Sequence, residues 1–487
     1  MIALAKFYIT TPIYYVNDKP HIGHAFATIA ADVLARWHRI RGDEVFFLTG
    51  TDEHGSKIEK AAKAAGMDPK SFADKVVGNF KTAWDVLGIS NDDFIRTTEE
   101  RHIKVVTAVI RRIFDTGDIY KGQYEGWYCV SDEAFFTELQ LVDGKCPTCG
   151  KPVTKVKEDT YFFKLSGYQK RLLEFYKENP EFLGRRYRNE IINRVKGGLN
   201  DLSVTRTTVK WAVPFPFDKD HYLYVWFDAL INYISALGWP NGKGFKTFWP
   251  ADVHFVGKEI NWFHSVIWPA MLFSAGIEPP KRVYASGWLT VNGQKMGKSM
   301  GNAIDPIDLS KKYSVDALRY FFIREKPLED DGDFSEAALI ERINNELVAD
   351  LGNLVYRTFT LVEKYGGELE GRPELDKVFD TGKIDELVGK MDLYNALNEI
   401  WACIKAANKY INDKEAWKLK GDVLGNVLYN LVEAIRVMSI LLYPFMPATA
   451  EKINEQLGTK IGTLKDCKFG PFKGSVRKGD YLFKKIL

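Results

Sequence analysis

The stretch from Phe7 to Trp37 constrains this chain more than any other. An apolar run, Phe7-Tyr8-Ile9, leads to Pro20-His21-Ile22-Gly23-His24, and Phe26, Ile29, Val33 and Trp37 then recur at helical spacing. A buried strand feeding a helix is the opening unit of a parallel α/β sheet. Pro12 is expected to end the strand, and both histidines to lie at the helix N-terminus. There unpaired backbone N–H groups and the positive end of the helix dipole favour phosphate. Gly23 lets a nucleotide approach the backbone, and two imidazoles on one face can donate to a polyphosphate. A histidine on an amphipathic helix is, in isolation, also an ordinary core or surface residue.

A second segment follows another strand-like run. After Arg282-Val283-Tyr284-Ala285-Ser286 and a turn at Asn292-Gly293 comes Lys295-Met296-Gly297-Lys298-Ser299. Two ammonium groups on a loop serve where a leaving pyrophosphate gains negative charge. A solvated lysine-rich loop has the same composition. The two segments in this order, each after a strand, point together to an ATP-using nucleotidyl transferase.

At 487 residues and 46% hydrophobic content the chain is too long for one ordinary domain. A βα alternation over residues 1–120 reads as the first half of a doubly wound parallel sheet of the Rossmann kind. Residues 121–204 turn irregular and read as an insertion. The pattern resumes over 205–281, with strands expected at Tyr224–Asp228 and Val253–Gly257. Residues 282–334 carry the lysine segment. Residues 335–487 read as an all-α bundle, with Leu339, Ile343, Leu347, Leu351, Leu354 and Thr358 on one face. Strand signals return only in the last twenty residues. That end, from Lys468, carries Lys468, Lys473, Arg477, Lys478, Lys484 and Lys485 against Asp480.

No stretch is an uninterrupted apolar run long enough for a membrane span, and no cleavable leader is visible, so a soluble cytoplasmic protein is expected. Five cysteines, an odd number, argue against a secreted disulfide framework. Cys129 and Asp132 precede Cys146 and Cys149, a spacing suited to a zinc knuckle, to a degenerate knuckle without metal, or to a Cys146/Cys149 redox pair. A net charge of +3 says nothing for or against nucleic acid, which would need local patches.

His21-Ile22-Gly23-His24 and Lys295-Met296-Gly297-Lys298-Ser299 resemble the two signatures of class I aminoacyl-tRNA synthetases, with Gly297 where the second usually has Ser. Over nearly its whole length the chain is similar to the methionyl-tRNA synthetase family. The segments that narrow it are Thr11–Asn17, Gly50–Gly55, Val225–Tyr233 and Gly257–His264. The resemblance implies a methionine pocket of Ile13, Tyr15, Trp226, Ala229, Leu230, Tyr233, Ile260 and His264, with Asp52 on the α-ammonium group. Aromatic walls suit a thioether, and the Tyr15 hydroxyl with His264 would supply a polar contact to sulfur. Leu230 stands where the family often has Pro.

It further implies that His21, Gly23, His24, Lys295, Lys298 and Ser299 bind ATP with Mg2+. Of these His21, His24, Lys295 and Lys298, with Arg206, are the expected catalytic groups. Asn353, Arg357 and Trp417 match the family's anticodon readers, although Ala416 replaces a usual Pro. Many relatives hold structural zinc at the position of Cys129, Asp132, Cys146 and Cys149. The implied partners are L-methionine, ATP and tRNA(Met), including the initiator. A monomer is expected, because the additional C-terminal dimer-forming domain of many bacterial relatives does not follow Leu487. The alternatives are an inactive tRNA-binding paralogue, another class I synthetase, and a plain nucleotide-binding α/β protein with a helical appendage.

Overall fold

In the computed structural model, which describes residues 5–130, 134–136, 138–291, 293–296 and 301–486, five parallel strands make the central sheet. Their spatial order is Val283–Ser286, Val253–Gly257, Lys6–Tyr15, Glu44–Asp52 and Asp93–Arg96. Chain order therefore reverses between Lys6–Tyr15 and Val253–Gly257. In open α/β sheets ligands bind at such a switch point, outside the carboxyl ends of the strands. The edge strand Val283–Ser286 lies just past the expected boundary at 281, so the sheet draws on the stretch that carries the lysine segment.

The first strand does not end at Pro12. It runs to Tyr15, and its pairing with Glu44–Asp52 shifts register between Thr10 and Ile13. Proline has no N–H for the ladder, so the strand bulges instead of stopping. The Thr11 hydroxyl is placed 2.7 Å from that of Thr49 and 2.9 Å from the Pro12 carbonyl, which keeps the bulge hydrogen-bonded. Past the bulge, Ile13 and Tyr15 pair with Gly50 and Asp52 at the carboxyl end of the strand.

The expected strand at Tyr224–Asp228 is instead a short helix, Val225–Ala229, preceded by a two-residue strand at Tyr222–Leu223. A short apolar run cannot distinguish the two by periodicity. The insertion is a four-stranded sheet in the order Ala134–Phe136, Ile119–Cys129, Thr154–Phe163, Leu202–Ser203, with antiparallel pairing.

The helix Ile22–Arg41 is buried on nearly every side. It lies between the sheet and the helical bundle, and one apolar core runs through all three. Asp32 and Arg319, both fully buried, pair at 2.6 Å. Arg319 also donates to the carbonyls of Phe445, Pro444 and Leu87, while Arg36 and the backbone and hydroxyl of Ser90 donate to Asp32. Burial opposes ionisation of Asp32, but Arg319, Arg36 and Ser90 outweigh it and hold its pKa below the ordinary value.

The bundle's first long helical run matches the sequence reading, with Leu339, Leu347, Leu351, Leu354 and Thr358 fully buried. Its middle, Ile343–Gly352, is π-helical. A spacing of four residues exceeds the 3.6 of an α-helix and fits this wider turn. The helix Gly421–Leu442 is long and apolar enough to cross a membrane by length and composition, but 78% of its apolar window is buried in the bundle. The last twenty residues form no strand among the described residues; they lie as an irregular strap across the bundle.

Candidate active site

His21 is the N-cap of the helix Ile22–Arg41 and His24 is its third residue. The Gly23 N–H donates to His21 Nδ1 at 3.1 Å, and the His21 N–H donates to His24 Nδ1 at 3.3 Å. Both rings thus accept at Nδ1, which leaves Nε2–H as the donor of each neutral imidazole. The rings stack with centroids 3.8 Å apart and planes 19° from parallel. Burial, and then His21, push the His24 pKa well below the ordinary histidine value. The helix end differs here from the sequence expectation: its first N–H groups are already taken, that of Ile22 by the Ile304 carbonyl at 3.0 Å. An anion would meet ring N–H groups more than backbone.

Gly23 is required by packing as well. A Cβ there would lie 2.9 Å from His21 Cε1 and 3.2 Å from Met296 Cε. Met296, buried, therefore sits on the histidine segment, and the two signature segments meet in space. The backbone of Gln294–Lys295 pairs with Leu289–Val291. Asn292, Gly297, Lys298 and Ser299, like Asp132 in the insertion, lie outside the described residues.

Asp52 closes the second strand opposite Tyr15 and is 3% exposed. The next residue, Glu53, is fully buried and takes two hydrogen bonds from Arg96, at 2.6 and 2.8 Å. His54 Nδ1 lies 2.6 Å from Asp228 Oδ2, and His102 Nε2 lies 2.8 Å from Asp228 Oδ1. Burial raises the Asp228 pKa, but the two imidazoles prevail and bring it to about 2. This buried carboxylate ties the loop after Asp52 to the helix that carries Trp226 and Ala229. Nothing in the local sequence signals it, because Asp228 and His54 are 174 residues apart.

Across the switch point, the segment after Val253–Gly257 turns through Lys258–Ile260 into a π-helical stretch, Phe263–Ile267. π-bulges often mark functional sites because they re-aim one side chain. His264 here donates from Nδ1 to the Ile260 carbonyl at 2.9 Å and accepts at Nε2 from the Tyr233 hydroxyl at 2.7 Å. Burial lowers the His264 pKa to about 4, so the ring is neutral. Tyr233 stacks on His254 at 4.1 Å, and His254 in turn is 2.9 Å from the Thr10 hydroxyl. Trp226 stacks on Phe263 at 3.9 Å and meets His264 edge-on.

Ile13, Tyr15, Trp226, Leu230, Tyr233 and Ile260 belong to one apolar cluster or border it; Ala229 is buried beside Leu230, and the His264 ring meets Trp226 and Tyr233. Phe263, His254 and the Asp228 brace had not been singled out from sequence. Lys57 lies 4.8 Å over the Tyr15 ring. Arg206 is buried elsewhere in the same half. Its Nη1 donates to the Thr205 carbonyl and the Ser203 hydroxyl, and its guanidinium packs 4.5 Å over Tyr224.

In the insertion, Cys129 and Cys149 have their sulfurs 3.5 Å apart, and with Cys146 all three lie within 4.8 Å of one another. Zn–S bonds of about 2.3 Å in tetrahedral geometry put sulfurs roughly 3.8 Å apart, so the cluster fits three corners of a zinc site. The Thr148 N–H points at Cys146 Sγ at 3.4 Å, as thiolate ligands in knuckles are commonly supported. In the bundle, Asn353 is exposed, and the Arg357 guanidinium lies 5.6 Å over Trp417, which is 51% exposed.

A sequence model of the family described as "tRNA synthetases class I (M)" matches residues 7–155 and 151–359, and one described as "Anticodon-binding domain of tRNA ligase" matches 381–471. The chain is 49% identical to a methionine–tRNA ligase of Caldanaerobacter subterraneus over 99% of its own length and 79% of that protein's. It is 47% identical to the Thermotoga maritima methionine–tRNA ligase, with 99% and 80% covered. Among solved structures, Mycobacterium tuberculosis methionyl-tRNA synthetase in complex with methionyl-adenylate superposes with a TM-score of 0.94 at 39% identity, covering 99% of this chain and 100% of that one. The apo form of that enzyme gives 0.87 at 36% identity, covering 100% and 99%.

Proposed function

This chain belongs to the methionyl-tRNA synthetase family of class I synthetases, and from that membership we propose how its switch-point site works. It activates L-methionine with ATP to methionyl-adenylate and transfers the methionyl group to tRNA. A methionine carboxylate oxygen attacks the α-phosphorus of magnesium ATP, the bond to the β-phosphate oxygen breaks, and pyrophosphate leaves. A terminal ribose hydroxyl of tRNA, the 2′-OH, then attacks the adenylate carbonyl and AMP leaves. Neither step needs a covalent nucleophile from the protein, so the side chains act by positioning and by stabilising charge.

The observation that carries this reading is the convergence of stacked His21 and His24 with Met296 at one edge of the switch point, beside the aromatic pocket around His264. Two neutral Nε2–H donors suit a polyphosphate whose own charge is carried with magnesium. We assign Lys295 and Lys298 to the developing pyrophosphate, with Ser299 and Gly23 beside the nucleotide and Arg206 in support. Asp52 takes the α-ammonium group. Ile13, Tyr15, Trp226, Ala229, Leu230, Tyr233, Ile260 and His264 enclose the thioether side chain. With Tyr233 donating to its Nε2, His264 offers the pocket a fixed, neutral ring.

Asn353, Arg357 and Trp417 are assigned to a CAU anticodon, through base-edge contacts and stacking on an exposed ring. Cys129, Cys146 and Cys149, with Asp132 as fourth ligand, would hold zinc as a structural clamp on the insertion. We further propose that the working unit is a monomer. Five cysteines outside any disulfide fit a reducing, cytoplasmic setting. The test is methionylation of a tRNA bearing CAU, alongside the same tRNA with another anticodon. The reading expects charging of the first and strong loss with the second; equal charging would remove Asn353, Arg357 and Trp417 from the assignment.

A further inference from the structure

We propose that the basic C-terminal strap is part of the tRNA surface: Tyr481 offers a stacking face to an unpaired base of the anticodon loop, and Lys478 a cation to its backbone. The proposal rests on the anticodon assignment above and extends it to a segment beyond the region matched as anticodon-binding, which ends at residue 471.

The strap is held in a defined place. The N–H groups of Ser475 and Arg477 donate to the carbonyls of Leu457 and Gln456, and Asn344 exchanges two hydrogen bonds with the backbone of Ile486. Its course brings it against the helix Asn353–Tyr365. On that helix Tyr356 and Arg357 follow the exposed Asn353 by three and four residues, so they flank it on either side. Arg357 leans on Trp417. On the other side Tyr481 stacks on Tyr356, with centroids 4.1 Å apart and planes 18° from parallel, and Lys478 sits 4.4 Å over the same ring.

Tyr481 is 62% exposed even so, which leaves its outer face in solvent. Among the described residues, Tyr481 and Trp417 are the two most exposed aromatic side chains, and they pack on Tyr356 and Arg357, one turn along the helix from Asn353. Anchoring does not explain Tyr481: Leu482, Phe483 and Ile486 already pack the strap onto the core. The charge balance points the same way. From Lys468 onward six basic residues meet only Asp480, in a chain whose total is +3. Aromatic faces interleaved with cations are how single-stranded nucleic acid is held, by stacking and by phosphate neutralisation.

The experiment measures binding of tRNA bearing CAU to the full chain and to Tyr481→Ala, Tyr481→Phe, Lys478→Ala and Trp417→Ala, across a series of salt concentrations. We expect Tyr481→Ala to weaken binding by about fivefold or more, the loss of one stacked base. Tyr481→Phe should restore it. Lys478→Ala should reduce the slope of log affinity against log salt by about 0.7, one phosphate contact with a single strand. Trp417→Ala reports on the assignment beneath the proposal. If it weakens binding while Tyr481→Ala and Lys478→Ala do not, the strap is not an RNA surface and the proposal falls alone. If Trp417→Ala has no effect either, the anticodon assignment itself fails. A loss that Tyr481→Phe does not restore, or that tracks a lower urea midpoint, makes the strap structural and overturns the proposal.

Discussion

Acidification should destabilise this protein through His264, by an amount the structure sets. The ring is fully buried and neutral, with both nitrogens committed: Nδ1–H to the Ile260 carbonyl and Nε2 to the Tyr233 hydroxyl. Its folded pKa is about 4, whereas an unfolded histidine titrates near 6.5. Between those values the unfolded chain binds a proton that the folded chain refuses, so stability is present above about pH 6.5 and is lost as pH falls toward 4. The full shift corresponds to about 3 kcal/mol, and from pH 7 to pH 5 the loss is about 2 kcal/mol. Burial depresses His24 and His254 in the same direction.

The perturbation that isolates His264 is His264→Gln, which keeps a polar group for Tyr233 but does not titrate. Urea unfolding of both proteins at pH 7, 6 and 5 gives the stability gap at each pH, and His24, whose depression comes from burial and His21, cancels in the difference. The wild-type advantage should shrink by about 2 kcal/mol across that range. A gap that stays constant would mean that His264 titrates alike folded and unfolded, and the buried Tyr233–His264–Ile260 arrangement would be wrong.

Asp228→Asn puts an amide where two imidazoles now meet a carboxylate, at a cost of about 1.5–3 kcal/mol for one charge-assisted hydrogen bond. Because that brace joins the Asp52 loop to the Trp226 helix, the KM for methionine in pyrophosphate exchange should rise about tenfold, more than the KM for ATP; equal changes in the two would contradict the brace. Asp32→Ala strands the buried Arg319 and should lower stability by about 3–5 kcal/mol in urea unfolding, and a loss under about 1 kcal/mol would contradict the buried pair. Metal analysis of protein prepared without chelator should find about one zinc per chain, removed by Cys146→Ser; metal-free protein would favour a degenerate knuckle.

What could be read in advance followed from short-range physics. The strand at Phe7-Tyr8-Ile9, the helix through Phe26 and Trp37 and the long bundle helices are periodic over many residues, and they folded as their periods require. Where local signals conflicted, tertiary context decided. Pro12 suggested a strand end, but pairing with Glu44–Asp52 resumes at Ile13 and keeps it in the sheet as a bulge. Tyr224–Asp228 read as a strand, but Asp228 faces His54 and His102, and the segment coils to deliver it.

The site divides along the same line. His21 and His24 were recognisable as a pair in one segment, yet their stacking and their common Nδ1 acceptance are visible only in three dimensions. The contact of Met296 with Gly23 joins segments that no sequence window spans. Phe263 and His254 carry no local signal of a role, because the rings they stack on, Trp226 and Tyr233, are remote in sequence. Tyr481 lay in a stretch with weak strand signals, and only its seat on Tyr356 gives it meaning.

The most direct test of the central claim, that the switch-point pocket selects methionine for adenylation, is amino-acid-dependent ATP–pyrophosphate exchange on the purified chain, with leucine, isoleucine and cysteine beside methionine. Exchange with methionine, exceeding each of the others by well over the roughly 10- to 200-fold that a single methylene provides, is the predicted result. No exchange with methionine in folded protein, or equal exchange with leucine, would contradict it.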